Sequence, residues 1–301
     1  MDRIVECVPN FSEGRSVKTI AQLEQAIAAV ETACVLNTHI DPDHNRSVIT
    51  FIASPDKVVE AAFQGVARAT QLIDIRTHSG VHPRLGATDV LPFVPVRNVT
   101  LDDCVMLAQQ AGKRIAEELS IPVYFYEKAA MLESRVNLED VRRGSLALLR
   151  KEIASPARAP DFGPAQVHET AGAIAVGSRP FLIAFNVNLK TGDLTVARRI
   201  AGSIRARTGG LPFLKALGFE LLSRGLVQVS MNLVNYEVTG ISQAFEAVKR
   251  ETTKYGVEIA GTEIVGLVPQ NALDPEAEYF VLLENFSPGL ILENRLAECP
   301  D

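Results

Sequence analysis

The 301 residues carry a formal net charge of -6, are 47% hydrophobic, and include four cysteines and no tryptophan. That balance is ample for packed cores and argues against a general nucleic-acid-binding surface, although a local basic pocket is compatible with it. No apolar run reaches the roughly 20 residues that a membrane-spanning helix needs, and residues 1–6 enter a strand-like pattern without the long apolar stretch of a secretory signal.

Residues 4–9 read as a strand. A helix is predicted over 17–30, with Ser16 as its N-cap and Ile20, Leu23, Ile27 and Val30 at three- and four-residue steps. Residues 33–40 and 47–53 read as two strands joined by the polar turn Asp41-Pro42-Asp43-His44-Asn45. Pro55 then opens a helix through about residue 73, and the apolar run 90–96 reads as a buried strand. The order so far is βαββαβ.

Helices are predicted over 100–119 and 138–153, with a short strand at 122–126 between them. The segment 155–164 holds three prolines, breaks both periodicities and reads as an interdomain connection. Beyond it the βαββαβ order returns: strand 181–187, helix 194–207, strands 219–222 and 226–234, helix 242–254 and strand 257–268. The expectation is an α+β protein of two ferredoxin-like subdomains, residues 1–178 and 179–301, with a ligand cleft or tunnel between them.

Cys7, Cys34, Cys104 and Cys299 form no C-x-x-C pair, and the first three lie in apolar runs. Buried reduced thiols and a cytoplasmic location follow as the expectation.

The loop preceding the strand at 90–96 concentrates chemistry. Within Arg76-Thr77-His78-Ser79-Gly80-Val81-His82-Pro83-Arg84-Leu85-Gly86-Ala87-Thr88-Asp89, the glycines and proline rule out one helical face for the two histidines. An imidazole titrates near neutral pH, so His82 is a candidate acid–base, with Arg84 and Asp89 close enough in sequence to tune it. A turn histidine bonded to backbone is the plainer alternative. His78 is read as a side chain that supports its neighbours or contacts a ligand, and a zinc site using His78, His82 and His44, Asp43 or Asp89 is the alternative, although H-x-x-x-H lacks a helix here.

Asn10, Ser12 and Glu13 offer polar groups at the end of the first strand, and Arg46 could grip a carboxylate through two parallel hydrogen bonds. The loop Gly163-Pro164-Ala165-Gln166-Val167-His168-Glu169-Thr170-Ala171-Gly172 could wrap a planar ligand, but it has no phosphate-binding glycine pattern. Arg179, Arg198, Arg199, Arg205, Arg207 and Lys215 gather positive charge in the second half, where they would attract a polyanion or simply form a solvated helix face.

Taken together, several segments resemble the formiminotransferase family. They are Val5-Glu6-Cys7-Val8-Pro9-Asn10-Phe11-Ser12-Glu13-Gly14, Asn45-Arg46, His82-Pro83-Arg84 with Gly86-Ala87 and Asp89, and Ala116-Glu117-Glu118-Leu119 with Pro122-Val123-Tyr124. Ala159-Pro160-Asp161-Phe162-Gly163-Pro164, Phe181-Leu182-Ile183-Ala184-Phe185-Asn186 and Val265-Gly266-Leu267-Val268-Pro269 continue it to near the end of the chain.

The resemblance implies transfer of a formimino group from N-formimino-L-glutamate to tetrahydrofolate as co-substrate, in two α/β subdomains, with His82 as the catalytic proton shuttle and no metal. It places the folate-binding stretch on Gly163 to Gly172, with Arg179, Arg199 and Arg205 read as partners of the folate tail. Asn10, Arg46, His78, Arg84 and Asp89 are read as formiminoglutamate contacts. It also implies a homodimer, no nucleic-acid or membrane partner, and any cyclodeaminase on a separate chain. Formyl transfer between 5-formyltetrahydrofolate and glutamate, a folate-binding protein without catalysis, and a metal-dependent amidohydrolase stay open as alternatives.

Overall fold

In the computed structural model, which describes residues 1–79, 84–284 and 286–299, the chain divides into two units, one of Met1–Arg179 and a second beginning at Pro180. The first opens with β1 (Ile4–Cys7) and β2 (Asn10–Phe11), two pieces of one line. Pro9 interrupts them because it has no N–H for the ladder, although its carbonyl still accepts from Ile49 N at 3.1 Å. Helix α1 (Val17–Ala28) starts where Ser16 Oγ accepts from Thr19 N, and it buries Ile20, Leu23 and Ile27 as the spacing predicts.

Then come β3 (Cys34–Asp41), β4 (Arg46–Ala53), α2 (Pro55–Leu72) and β5 (Thr88–Arg97). Helix α3 (Leu101–Leu119) begins in a reciprocal cap, Thr100 Oγ1 accepting from Asp103 N and Asp103 Oδ2 from Thr100 N. Next are β6 (Val123–Glu127), the short α4 (Leu138–Val141), α5 (Ser145–Glu152) and β7 (Ile174–Ser178). The single helix expected over 138–153 is broken at Gly144, whose φ of +75° takes the backbone out of the helical region.

Across the sheet the strands run β3, β4, the β1–β2 line, β5, β7, β6. The pairs among β1 to β5 are antiparallel, whereas β5–β7 and β6–β7 are parallel. Strand β7 was not expected. Its sequence, Ile-Ala-Val-Gly-Ser, is buried along its whole length, and a strand covered on both faces carries no alternation to read. Val5, Cys7, Phe51, Leu91, Phe93, Phe125 and Val176 face α1, α2 and α3, while Val90, Tyr124, Tyr126 and Ala175 face α4, α5 and Val167. Cys7 and Cys104 are free buried thiols whose pKa burial pushes up, that of Cys104 to about 12. Cys34, only half-buried, and Cys299 are disulfide-bonded, so the expectation of reduced thiols fails for these two.

The proline-rich segment 155–164 is not an interdomain connection. Asp161 accepts from Phe125 N at 2.7 Å and from Arg135 Nη1 at 2.5 Å, and both members of that ion pair are buried. Arg135 also donates to Ala159 O and lies over the Tyr124 ring. The segment is therefore fastened along β6, and the division between units falls after Arg179.

The second unit runs β8 (Ile183–Leu189), α6 (Leu194–Ile204), β9 (Leu214–Leu221), β10 (Leu226–Leu233), α7 (Ile241–Tyr255) and β11 (Ile259–Val265), followed by the short helices α8 (Glu278–Val281) and α9 (Leu292–Glu298). Its four strands lie in the order β11-β8-β10-β9, all antiparallel. In both units the strands of βαββαβ are arranged second, third, first, fourth, counting the β1–β2 line as one. Phe185, Val187, Val229 and Met231 pack under Ile200 and Phe245, so α6 and α7 cover one face of this sheet. Among the described residues no helix is long and apolar enough to cross a membrane.

Candidate active site

The end of β2, the β3–β4 turn and the start of β5 meet in the first unit. Ser12 donates its N–H to Ala87 O at 2.8 Å and its hydroxyl to Gly86 O at 2.7 Å. Asn45, at a φ of +48° that asparagine tolerates better than most residues, accepts from Gly14 N at 2.9 Å and donates to Ser79 O at 2.8 Å. One amide thus joins three loops. Phe11, Ser12, His44, Asn45, Arg46, Arg84 and Asp89 line a pocket of about 180 Å³, counting its opening.

Arg46 and Arg84 bring two cations to this pocket. Burial pulls Arg84 below the ordinary arginine value against the opposing charge of Asp89, and Arg15 and Arg46 add to the downward shift. Asp89 is already engaged: Oδ1 accepts from Leu85 N at 2.6 Å, and Oδ2 forms an ion pair with Arg142. It therefore shapes the loop more than it offers a free charge. The pocket is suited to a small anion with hydrogen-bonding oxygens.

His44, fully buried, was weighed from sequence only as a zinc ligand. Its Nδ1 lies 3.0 Å from Asp41 Oδ2, and its backbone N–H donates to Asp41 Oδ1 at 2.9 Å. Burial alone would raise the pKa of Asp41, but hydrogen bonding and charge from His44 outweigh it and hold the carboxyl at about 2. Among the described residues, no three His, Cys, Asp or Glu side chains converge to hold a metal ion.

His82 lies outside the described residues, with Gly80, Val81 and Pro83. His78 is not among the residues that line the pocket; its Nε2 is 2.9 Å from Asn45 O and 2.8 Å from Arg84 Nη1. As one nitrogen cannot both donate to the carbonyl and accept from the guanidinium, the tautomer selects between these contacts. Asn10 is turned to its own backbone, donating to Val8 O at 3.1 Å, so Ser12 rather than Asn10 reaches the pocket.

The loop 163–172 is pinned against the same region. Ala87 N donates to Ala171 O at 2.8 Å, Ala173 N to Leu85 O at 2.9 Å, and Ile75 N to Thr170 O at 2.9 Å. His168 and Gly172 bond each other's backbone, Ala171 N donates to His168 Nδ1, and Glu169 pairs with Arg76. Contact this close requires two glycines. A Cβ on Gly86 would stand 2.2 Å from Ala173 O and one on Gly172 2.3 Å from Leu85 O. Residues 163–166 are exposed, while Val167 anchors the loop in the core.

Arg179, Arg199 and Arg205, expected from sequence to meet the folate tail, are not among the residues that line this pocket. Arg179 closes the first unit beside Glu6 and Tyr126. Arg199 is exposed on α6, and Arg205 caps the C-terminus of that helix.

With this geometry in hand, the chain can be compared with known proteins. A family model described as the formiminotransferase domain, N-terminal subdomain, matches residues 4–179, and one described as the formiminotransferase domain matches residues 184–295. The chain belongs to the formiminotransferase family. It is 47% identical to a glutamate formimidoyltransferase of Thermoplasma acidophilum over 97% of each chain. It is 43% identical to one of Streptococcus pyogenes, over 98% of this chain and 99% of that one. A formimidoyltransferase-cyclodeaminase of Dictyostelium discoideum is 41% identical over 95% of this chain, which spans only 54% of that relative.

Proposed function

We propose that this formiminotransferase-family chain moves the formimino group of N-formimino-L-glutamate to N5 of tetrahydrofolate, releasing L-glutamate and 5-formiminotetrahydrofolate. One observation carries the reading to this site: Arg46 and Arg84 line a single small pocket with Ser12 and Asn45, and the carboxylate there is already engaged. Such a pocket receives a glutamate carboxylate. Near-full-length similarity to two proteins named for this reaction supports it. We further infer that each βαββαβ unit is ferredoxin-like, on the basis of the shared strand order.

The chemistry needs one proton moved. N5 attacks the formimino carbon and the N5–C bond forms; N5 gives up its proton; the bond from carbon to the glutamate nitrogen breaks, and that nitrogen takes a proton. His82 is proposed as the carrier between the two nitrogens, and Arg84, two residues along the chain, lines the pocket. Most of the remaining acceleration comes from alignment of two bound substrates. Arg46 is the proposed carboxylate grip. The loop 163–172 is the proposed folate contact, and its bonds to residues 85–87 couple it to the pocket.

The test is a direct assay of the full chain with formiminoglutamate and tetrahydrofolate, run beside 5-formyltetrahydrofolate plus glutamate. Formimino transfer is expected to be the faster reaction, and its absence would overturn the proposal. His82→Ala should lower kcat by roughly 10²–10⁴-fold with folate affinity retained, and unchanged turnover would remove His82 from the mechanism.

A further inference from the structure

His78 stands between two groups with opposite demands. Its Nε2 lies 2.9 Å from Asn45 O, a carbonyl that only accepts, and 2.8 Å from Arg84 Nη1, a guanidinium nitrogen that only donates. Nδ1 is buried and has no hydrogen-bond partner among the described residues. The neutral ring therefore has two imperfect arrangements. With its proton on Nδ1, the ring accepts from Arg84 but buries an unpaired N–H and turns a lone pair to Asn45 O. With its proton on Nε2, it donates to Asn45 O and has nothing to offer Arg84. A doubly protonated ring has only the second arrangement. A side chain satisfied in neither neutral state is one that a ligand can tip.

Arg84 is where the choice is felt, because it lines the pocket with Arg46. An N–H that Nη1 gives to His78 is one fewer for a bound carboxylate, whose two oxygens pair best with two parallel guanidinium N–H groups. Arg15 and Arg46 add positive charge around Arg84, and Asp89 opposes them. Asp89 is itself engaged by Leu85 N and Arg142. On the loop that carries His78, Arg76 is paired with Asp74 and Glu169. His44, the described imidazole that lines the pocket, is paired with Asp41. An anion entering among these cations favours the charged form of a nearby imidazole. Direct electrostatics and release of Arg84 thus act with the same sign.

We propose that His78 is a positioning residue for Arg84, and that it takes up a proton when a substrate carboxylate enters the pocket. Neutral, it accepts from Arg84 Nη1. Protonated from solvent, it donates to Asn45 O and yields Nη1 to the carboxylate. The inference rests on the reading that this pocket receives a carboxylate of formiminoglutamate. Its consequence is a sign: affinity for that substrate falls as pH rises through the imidazole range, because the protonated ring is the form that binding favours.

The experiment uses the full chain and His78→Gln, which keeps a neutral donor and acceptor and cannot titrate. The probe is L-glutamate, the product, whose own charge is constant between pH 6 and pH 8. Calorimetric titration in buffers of different ionisation enthalpy counts the protons taken up on binding. The wild type should take up more protons than the variant. Its Kd should rise with pH relative to that of the variant, by up to about tenfold per pH unit. KM for formiminoglutamate should follow the same trend, and KM for tetrahydrofolate should not. Titration of His44 and His82 is common to both proteins and cancels in the comparison. A merely structural His78 would change the melting temperature of the variant and leave the proton count alone.

Equal proton uptake and parallel pH dependence in the two proteins overturn the proposal. If His78→Gln fails to fold, the wild type decides: binding of L-glutamate without net proton uptake overturns it. Failure of the pocket reading shows separately, as wild-type protein that binds neither L-glutamate nor formiminoglutamate, and then both readings fall.

Discussion

Glu6 offers a sharp test of the electrostatics of the first unit. It lies on β1 between Ile52 and Val94 of the neighbouring strands, on the face away from α1 to α3, and is 1% exposed. Its Oε2 has no hydrogen-bond partner among the described residues. Burial raises its pKa from 4.5 to about 7, with Arg179 pulling the other way. Between those values the folded chain holds a proton that the unfolded chain has released, so stability falls as pH rises through that window. A gap of some two and a half units at about 1.4 kcal/mol each amounts to about 3 kcal/mol, most of it between pH 5 and 8.

Glu6→Gln removes this titration. Urea unfolding of both proteins, followed by circular dichroism at steps from pH 5 to pH 8, should show the wild type losing about 2–3 kcal/mol relative to the variant as pH rises. The comparison of slopes is independent of the constant cost of depriving Arg179 of its neighbour. Parallel stability curves across that range would refute the reasoning, because a carboxyl that titrates alike in both states contributes no slope.

Three further outcomes follow from the geometry. Gly172→Ala places a Cβ 2.3 Å from Leu85 O at a φ of +76°, and combined strain and overlap should cost about 2–4 kcal/mol; thermal melting reads the loss, and a raised KM for tetrahydrofolate reads the loosened junction with residues 85–87. Asp161→Ala leaves the Arg135 guanidinium and Phe125 N without their acceptor in a buried setting, so denaturant unfolding should show a loss of about 3–5 kcal/mol. Asp41 is held at about 2 against an ordinary 3.8, and its depressed pKa stabilises the fold above pH 4 and loses that effect as pH falls through 2; Asp41→Asn should cost about 1–2 kcal/mol at neutral pH and less as acid is added.

The order of elements was legible because each rests on a local signal. Ser16 and Thr100 start helices through their own side-chain bonds, and α1 buries Ile20, Leu23 and Ile27 as spaced, although it ends at Ala28, before Val30. Strand β7 was not legible, since Ala175 and Gly177 carry no strand preference and acquire their role from β5 and β6 on either side. The segment 155–164 misled for a related reason. Its prolines read as a linker, whereas the bond from Asp161 to Arg135 spans 26 residues and leaves no local trace. At the candidate site, Arg46 and Arg84 line the pocket with Ser12, whereas Asn10 bonds to its own backbone, a difference that no local sequence signal carries.

The chain's own residues determined the helices, most of the strands, the twofold βαββαβ order and the loops that carry titratable groups, because caps, periodicity and turn residues act over a few positions. Tertiary structure alone decided that Gly86 and Gly172 lock two loops 86 residues apart, that Asp89 is paired with Arg142, and that Asp161 is paired with Arg135. Each of those depends on burial and on hydrogen-bond partners distant in sequence, which arise only when the sheets assemble.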